Sequence, residues 1–319
     1  MIGPTVREVY EARRRLEGRA RRTPLERAAW LSEIAGCDVY LKLECWQRTG
    51  SFKLRGATNA VLALGPELRG REVVTASAGN HGMAVALAAK EAGARAVVWV
   101  PETSPETKKA RTRALGAELR TTPGTYDDAH AAAHAYAGET GGYFLHAFDD
   151  PRVVAGQGTV ALEIVEELPG VREVLVPVGG GGLIAGVGLA LRAVGGREVA
   201  VLGVQSENTS TMYHSFRAGR VVEPVAGPTL ADGLAGGIEE GSFQRARAVT
   251  DELSLVTEAS IPRAIRVLYE RMGIVAEGSG AVGVAAILEG RVRLRGPAVV
   301  VISGGNIDGH RLAEVLTSG

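Results

Sequence analysis

Strand-like and helix-like segments alternate along almost the whole chain, and that alternation leaves few folds open. Strand-like runs, most of them nearly continuous Val, Ala and Leu, occur at 39–43, 73–76, 96–100, 118–121, 174–178, 199–204 and 298–302. Helix-like stretches lie between them at 80–92, 105–115, 126–139, 156–167 and 261–272. Strands this continuously apolar are expected when helices cover both faces of a sheet. Strands alternating with helices make mainly parallel α/β sheets. In "TSPETKK" the order Ser104, Pro105, Glu106 predicts a helix start, with Ser104 as cap and Pro105 in the first turn. No repeat of solenoid length stands out.

With 319 residues the chain suffices for one large or two medium domains. The pair Gly141, Gly142 and the stretch "HAFDDP" mark one crossover, and Gly65, Pro66 another. The segment between them holds about four strands and reads as a small domain inserted in a larger one. The expected division is a large domain of 1–65 and 147–319 and a small one of 66–146.

Several function classes are excluded by bulk properties. Thirty-six basic residues balance thirty-six acidic ones, so no broad field favours nucleic acid or an anionic membrane. Aromatics at 5% are too few for base-stacking platforms. The two cysteines, Cys37 and Cys45, are no disulfide scaffold and suggest a reducing cytoplasm. The N-terminal stretch lacks a signal-peptide core and reads as an amphipathic helix with Val6, Val9 and Leu16 on one side. Residues 174–191 are uncharged and long enough to test as a membrane span. Pro177 and the four glycines that follow Val178 would break such a helix, so a strand, a turn and a helix are expected, in a soluble protein.

Three glycine-containing loops follow strands. "TASAGNHG" (75–82) opens a helix whose free N–H groups and dipole suit a carboxylate or phosphate, with Asn80 and His81 adding donors. A tight turn capped by Ser77 accounts for this loop equally well. "VPVGGGGLIAG" (176–186) places four consecutive glycines between a buried strand and a helix. That arrangement is entropically costly, and a nest of N–H groups for a phosphate would justify it. It matches neither the dinucleotide fingerprint nor the Walker pattern. "VVVISGGNIDGH" (299–310) ends a strand at Ser303, where α/β folds bind ligands, although Ser303 could equally cap the final helix. The fourth feature is "GSFKLRGATNA" (50–60), where Lys53 stands between Phe52 and Leu54. A lysine deprived of solvent has a lowered pKa and is a usable nucleophile. Lysine with a phosphate-bearing aldehyde is pyridoxal-phosphate chemistry.

On these residues the sequence resembles the fold-type-II pyridoxal-phosphate enzymes, in the serine/threonine dehydratase (threonine ammonia-lyase) and serine racemase branch. The likeness runs nearly end to end, through "RTPL", "VYLKLECWQRTGSFKLRGATNA", "SAGNHG", "HAFDDPRVVAGQGTVALEI", "VPVGGGGLIAG", "PTLADGLAGG", "EGSGAVGVAAILEG" and "ISGGNID". It implies a tryptophan-synthase-β-like fold of two parallel-sheet α/β domains, the small one inserted in the large one, and a homodimer or higher homo-oligomer. It implies that Lys53 forms the Schiff base with pyridoxal 5'-phosphate and is the base that removes the substrate α-proton. Phe52 would pack on the pyridine ring and Asn80 would bond the ring hydroxyl. Gly179, Gly180, Gly181, Gly182 and Leu183 would hold the phosphate, and Ser303 would face the pyridine nitrogen. Ser77, Ala78, Gly79, Asn80 and His81 would bind the substrate carboxylate. The implied reaction is α,β-elimination of L-threonine, L-serine or a related β-hydroxy amino acid to a 2-oxo acid and ammonia. The alternatives are serine racemase activity and a non-catalytic amino-acid-binding relative.

The chain departs from the family pattern in places. Racemases of the family carry a serine where this chain has Ala78, and a methyl group cannot carry a proton, so elimination outranks racemisation. The family's cation-binding glutamate and aspartate are replaced by Gln205, Ser206 and Thr211, and a neutral amide is a poor ligand for a hard cation. The short stretch after "ISGGN" leads us to expect no C-terminal regulatory domain. Three motifs also resemble dehydratase-like proteins of hydroxyectoine breakdown. His130 and His134, a turn apart on a helix with no third ligand, read as a solvated face rather than a metal site. Glu277 reads as a site-facing or dipole-pairing carboxylate, and Asp232 as shaping the substrate loop or capping a turn.

Overall fold

The computed structural model describes residues 3–195, 198–225 and 227–317. In chain order the strands are β1 (Leu25–Arg27), β2 (Val39–Lys42), β3 (Glu72–Ala76), β4 (Arg95–Pro101), β5 (Glu118–Thr122), β6 (Tyr143–Phe144), β7 (Glu173–Pro177), β8 (Ala200–Ser206), β9 (Glu252–Val256) and β10 (Ala298–Val301). They form two sheets. One has the order β1-β2-β10-β7-β8-β9, the other β5-β4-β3-β6. All pairings are parallel except β1 on β2. The second sheet is drawn wholly from residues 72–144, between the strands of the first.

Burial explains this layout. β7 and β10 are buried at every position, as central parallel strands must be when helices cover both faces. The helix Lys53–Leu64 lies against Pro151–Glu167, and the two backbones nearly touch: a Cβ on Gly156 would stand 2.6 Å from the Arg55 carbonyl oxygen. Beneath that contact lies a buried charge network. Arg55 pairs with Glu44 at 2.8 Å and with Glu163 at 2.6 Å, and Lys42 reaches Glu163 at 2.7 Å.

The structure corrects several local expectations. Ser104 is not a cap: the helix Glu106–Ala114 starts after Pro105, whose ψ of 134° makes it the cap residue, while Ser104 N–H turns back to the Pro101 carbonyl. Ser303 does not cap the final helix, which begins at Gly309 with the Asp308 carboxylate accepting from His310 N–H at 2.9 Å. The helix expected from 156 begins at Pro151, with Asp150 accepting from Arg152 N–H at 2.7 Å, because Asp-Pro is itself a start signal. Strands β1, β6 and β9 were not expected: β1 and β6 are three and two residues long, and β9 is buried at only two of its five positions. His130 is half-buried rather than solvated, its ring edge-on to Phe144 and His146 at 5.0 and 5.5 Å; His134 is exposed. The uncharged stretch 174–191 is β7, a turn and the helix Gly182–Val194. Among the described residues no helix is long and apolar enough to cross a membrane.

Candidate functional site

Lys53 is the first residue of its helix and half-buried. Loss of water pushes its amine down from the usual 10.5 to about 8, against a smaller upward pull from the Glu277 charge. Its Nζ donates to the Ala147 carbonyl at 2.9 Å and lies 5.3 Å from the Phe52 ring centre. Phe52 N–H donates to the Ser303 carbonyl at 3.0 Å, and Ser51 bridges Gly304, so the lysine loop is stitched to the loop after β10. Ser303 itself is buried there.

The residue after Ala147 ties the lysine to the glycine run. A Cβ on Gly180 would lie 2.4 Å from the Phe148 ring, and one on Gly182 would lie 2.9 Å from Phe148 Cα. Gly181 has φ +89°, the left-handed region, and caps the helix Gly182–Val194. The N–H groups of Gly179, Gly180, Gly181, Gly182 and Leu183 have no hydrogen-bond partner among the described residues. Their side of the turn is a row of free donors at a helix N-terminus, and Leu183 anchors that helix by its buried side chain.

Asn80 begins the helix Asn80–Glu91 directly after the loop that ends β3. Its Nδ2 donates to Glu277 Oε1 at 2.7 Å, and its Oδ1 accepts from Asn306 Nδ2, also at 2.7 Å. Asn306 Nδ2 donates in turn to the Thr49 carbonyl at 2.8 Å, on the loop leading to Lys53. Glu277 faces the site: burial, reinforced by the nearby Asp232 charge, pushes its carboxyl up to about 7. A Cβ on Gly304 would stand 2.4 Å from Glu277 Oε1, so the loop after β10 closes tightly over it. Asp232 does not cap a turn with its carboxylate. Its carboxylate pairs with Lys108 at 2.8 Å, joining the loop before the helix Glu240–Val249 to the helix Glu106–Ala114.

Of the residues in the Ser77–His81 loop, Gly79 is the helix cap, and the Ser77 hydroxyl accepts from its N–H at 3.2 Å. Ala78 is half-buried against apolar neighbours. His81 is buried, with Nε2 3.2 Å from the Leu145 carbonyl, and burial pushes its pKa down to about 3. It is therefore a neutral ring that donates to that carbonyl. Among the described residues no group of three or more His, Cys, Asp or Glu side chains is arranged to hold a metal ion. Phe148, Asn306 and the carbonyl of Ala147 belong to the site but carried no local signal that singled them out.

The family model described as pyridoxal-phosphate dependent enzyme matches residues 16–305. The L-threonine ammonia-lyase of Thermotoga maritima is 45% identical over 320 residues, which span 99% of this chain and 79% of that one. The L-threonine ammonia-lyase of Geobacter sulfurreducens is 43% identical over 98% of this chain and 78% of its own. Among solved structures, maize serine racemase superposes with TM-score 0.93 at 30% identity, covering 98% of this chain and 96% of that one. Threonine deaminase isoform 2 from Solanum lycopersicum gives TM-score 0.89 at 33% identity, covering 99% and 90%. The site suits the family's cofactor on its own chemistry. It offers an amine of lowered pKa, a row of free N–H donors matched to a phosphate, and a glycine cradle that admits no Cβ. The chain belongs to the pyridoxal-phosphate dependent enzymes, of the fold-type-II architecture, and pyridoxal phosphate is its cofactor.

Proposed function

We propose that the chain eliminates water from L-threonine, L-serine or a related β-hydroxy amino acid, giving a 2-oxo acid and ammonia. The observation that carries this reading is the convergence on one site of the Lys53 amine, the free N–H row of the glycine turn and the N-terminus of the Asn80 helix. The relatives named threonine ammonia-lyase and threonine deaminase support it.

The bound cofactor supplies an electron sink for negative charge at the substrate α-carbon. Lys53 Nζ would hold the cofactor's aldehyde carbon and would be the base that takes the substrate α-proton; its lowered pKa suits the amine to that role. The N–H groups of Gly179 to Leu183 would hold the phosphate, Phe52 would support the ring face, Asn80 would meet the ring hydroxyl and Ser303 would face the ring nitrogen. Ser77, Ala78, Gly79 and Asn80 receive the substrate carboxylate at the helix N-terminus. His81 contributes through its place in that turn, since its ring is committed to Leu145. Residues 66–146 form the small domain that closes over the substrate and keeps water from the α-carbon. The assembly is a cytoplasmic homodimer. Ala78 stands where racemases of the family carry a serine and its methyl group cannot carry a proton, so elimination outranks racemisation.

A panel of β-hydroxy amino acids scored for 2-oxo-acid release tests the reading, with Lys53→Ala as control. Release from L-threonine or L-serine, abolished in the variant, supports it. A wild-type chain that releases no 2-oxo acid from any member refutes it, and D-serine formed faster than pyruvate would favour racemisation.

A further inference from the structure

We propose that Gln205 is a positioning residue for the phosphate-binding turn, its carboxamide nitrogen occupying the place of a cation between two main-chain carbonyls. The proposal rests on the reading that Gly179 to Leu183 hold the cofactor phosphate.

Gln205 is the penultimate residue of β8 and is 1% exposed. Its Nε2 donates to the Val178 carbonyl at 3.0 Å and to the Thr209 carbonyl at 2.8 Å. Its Oε1 accepts from Tyr213 N–H at 2.7 Å. Both N–H bonds and the oxygen of this buried amide are thus committed, which fixes its orientation and leaves it no alternative partner. The three segments it joins all bear on the turn. Val178 is the residue before Gly179, and its own N–H is held by the Val204 carbonyl at 2.9 Å, so it is pinned on both polar groups. Thr209 closes the short turn Glu207–Thr209, and Tyr213 lies in the first turn of the helix Thr211–Ala218. That helix backs the glycine run: a Cβ on Gly181 would lie 2.8 Å from Met212 Cε. One amide therefore sets both the strand end that leads into the turn and the helix that supports its left-handed residue.

The chemistry makes the arrangement specific to an amide. A glutamate of the same length has no N–H to offer, so its carboxylate would face two carbonyl oxygens with nothing between them. Three oxygens converging in this way repel one another unless a hard divalent cation lies at their centre. Gln205→Glu should therefore turn a cation-independent turn into a cation-dependent one.

The test measures, on the full chain stripped of cofactor, the affinity for pyridoxal phosphate and for pyridoxal, which has the ring and aldehyde but no phosphate. Each is measured in EDTA and in millimolar Ca²⁺. The wild type should prefer pyridoxal phosphate equally in both buffers. Gln205→Glu in EDTA should lose affinity for pyridoxal phosphate by about ten-fold, as expected when buried hydrogen bonds are broken, leave pyridoxal affinity unchanged, and recover in Ca²⁺. An undiminished phosphate preference in EDTA overturns the proposal. So does an equal loss for both ligands with no response to Ca²⁺, which would mark a general structural role. A wild type that binds both ligands alike overturns the phosphate reading itself, whatever Gln205 does. If the glutamate variant fails to fold, Gln205→Met preserves the volume without the donors. It should lose about ten-fold for pyridoxal phosphate alone and ignore Ca²⁺, and an unchanged preference there again refutes the idea.

Discussion

Replacing Glu277 by glutamine should make the cofactor-free protein more stable at pH 8 than at pH 5, relative to wild type. The Glu277 carboxyl titrates near 4.5 when exposed and near 7 in the folded chain, chiefly because it is buried. A carboxyl raised in this way holds its proton more tightly folded than unfolded, so stability falls as pH rises from 4.5 towards 7 and the cost is complete above 7. At about 1.4 kcal/mol per pH unit the full cost is about 3 kcal/mol, of which less than about 1 is felt at pH 5. Glutamine carries no such cost. Its Oε1 can keep the bond from Asn80, while its new N–H pair loses about 1 kcal/mol for want of a fitted acceptor. Glu277→Gln should therefore gain about 2 kcal/mol at pH 8 and show no gain at pH 5. Urea unfolding of the full chain without cofactor, at both pH values, reads the difference directly, since bound ligand would otherwise add its own stabilisation. The same substitution removes the charge that raises the Lys53 pKa, so the pH midpoint for capture of pyridoxal phosphate should move below about 8. Parallel stability-against-pH curves for the two proteins would refute the reasoning, because they would mean that Glu277 titrates as an exposed carboxyl.

Gly180→Ala places a Cβ 2.4 Å from the Phe148 ring, and that ring is held edge-on against His146 at 4.5 Å. Overpacking of about 1–3 kcal/mol should appear as weaker pyridoxal-phosphate binding, measured by equilibrium dialysis; an unchanged affinity would show that the ring yields freely. Glu163→Ala strips a carboxylate from buried Arg55 and Lys42 and should destabilise by about 3–5 kcal/mol in urea unfolding. A loss below about 1 kcal/mol would mean that water replaces the carboxylate. Ala78→Ser should introduce D-serine formation from L-serine, detected by chiral chromatography and undetectable in wild type; an enzyme that still only eliminates would show that a hydroxyl at 78 does not reach the α-carbon.

The parts of this molecule that were readable in its sequence are those where the chain breaks a local rule. Four consecutive glycines and a lysine between two apolar residues are each unfavourable unless a ligand needs them, and both lie at the site. The continuous apolar strands were readable because burial on two faces leaves no room for polar alternation. The short edge strand β1, the two-residue β6 and the half-exposed β9 lack that signature, since pairing rather than side-chain burial defines them. The partners that complete the site were hidden for a different reason. Asn80 meets Glu277 across 197 residues of sequence and Asn306 across 226, and no spacing rule connects positions so far apart. Gln205 was visible as a departure from its family, but only its three hydrogen bonds show what the amide does instead.

The site's position follows from topology. Lys53 comes after the carboxyl end of β2, Asn80 after β3, the glycine turn after β7 and Ser303 after β10, so each is delivered where a parallel strand stops and a helix or loop begins. Three helices begin at the site, at Lys53, Asn80 and Gly182, so helix N-termini are turned toward any anion there. The buried ionisable groups follow the same logic. Lys53 is pushed down to about 8 and Glu277 up to about 7, so burial disfavours the charged form of each and the site's dipoles act in a poorly hydrated space. That design depends on register. Val301 pairs with Lys42 on one side and Val300 with Leu175 on the other, and those pairings fix how far the loop bearing Ser303 extends past the sheet. Because side chains alternate between the faces of a strand, a one-residue slip of β10 would put Val299 and Val301 on the opposite face and shift Ser303 by about 3.3 Å. That is more than a hydrogen bond can absorb, so the apolar strand core and the placement of the catalytic groups are set by the same residues.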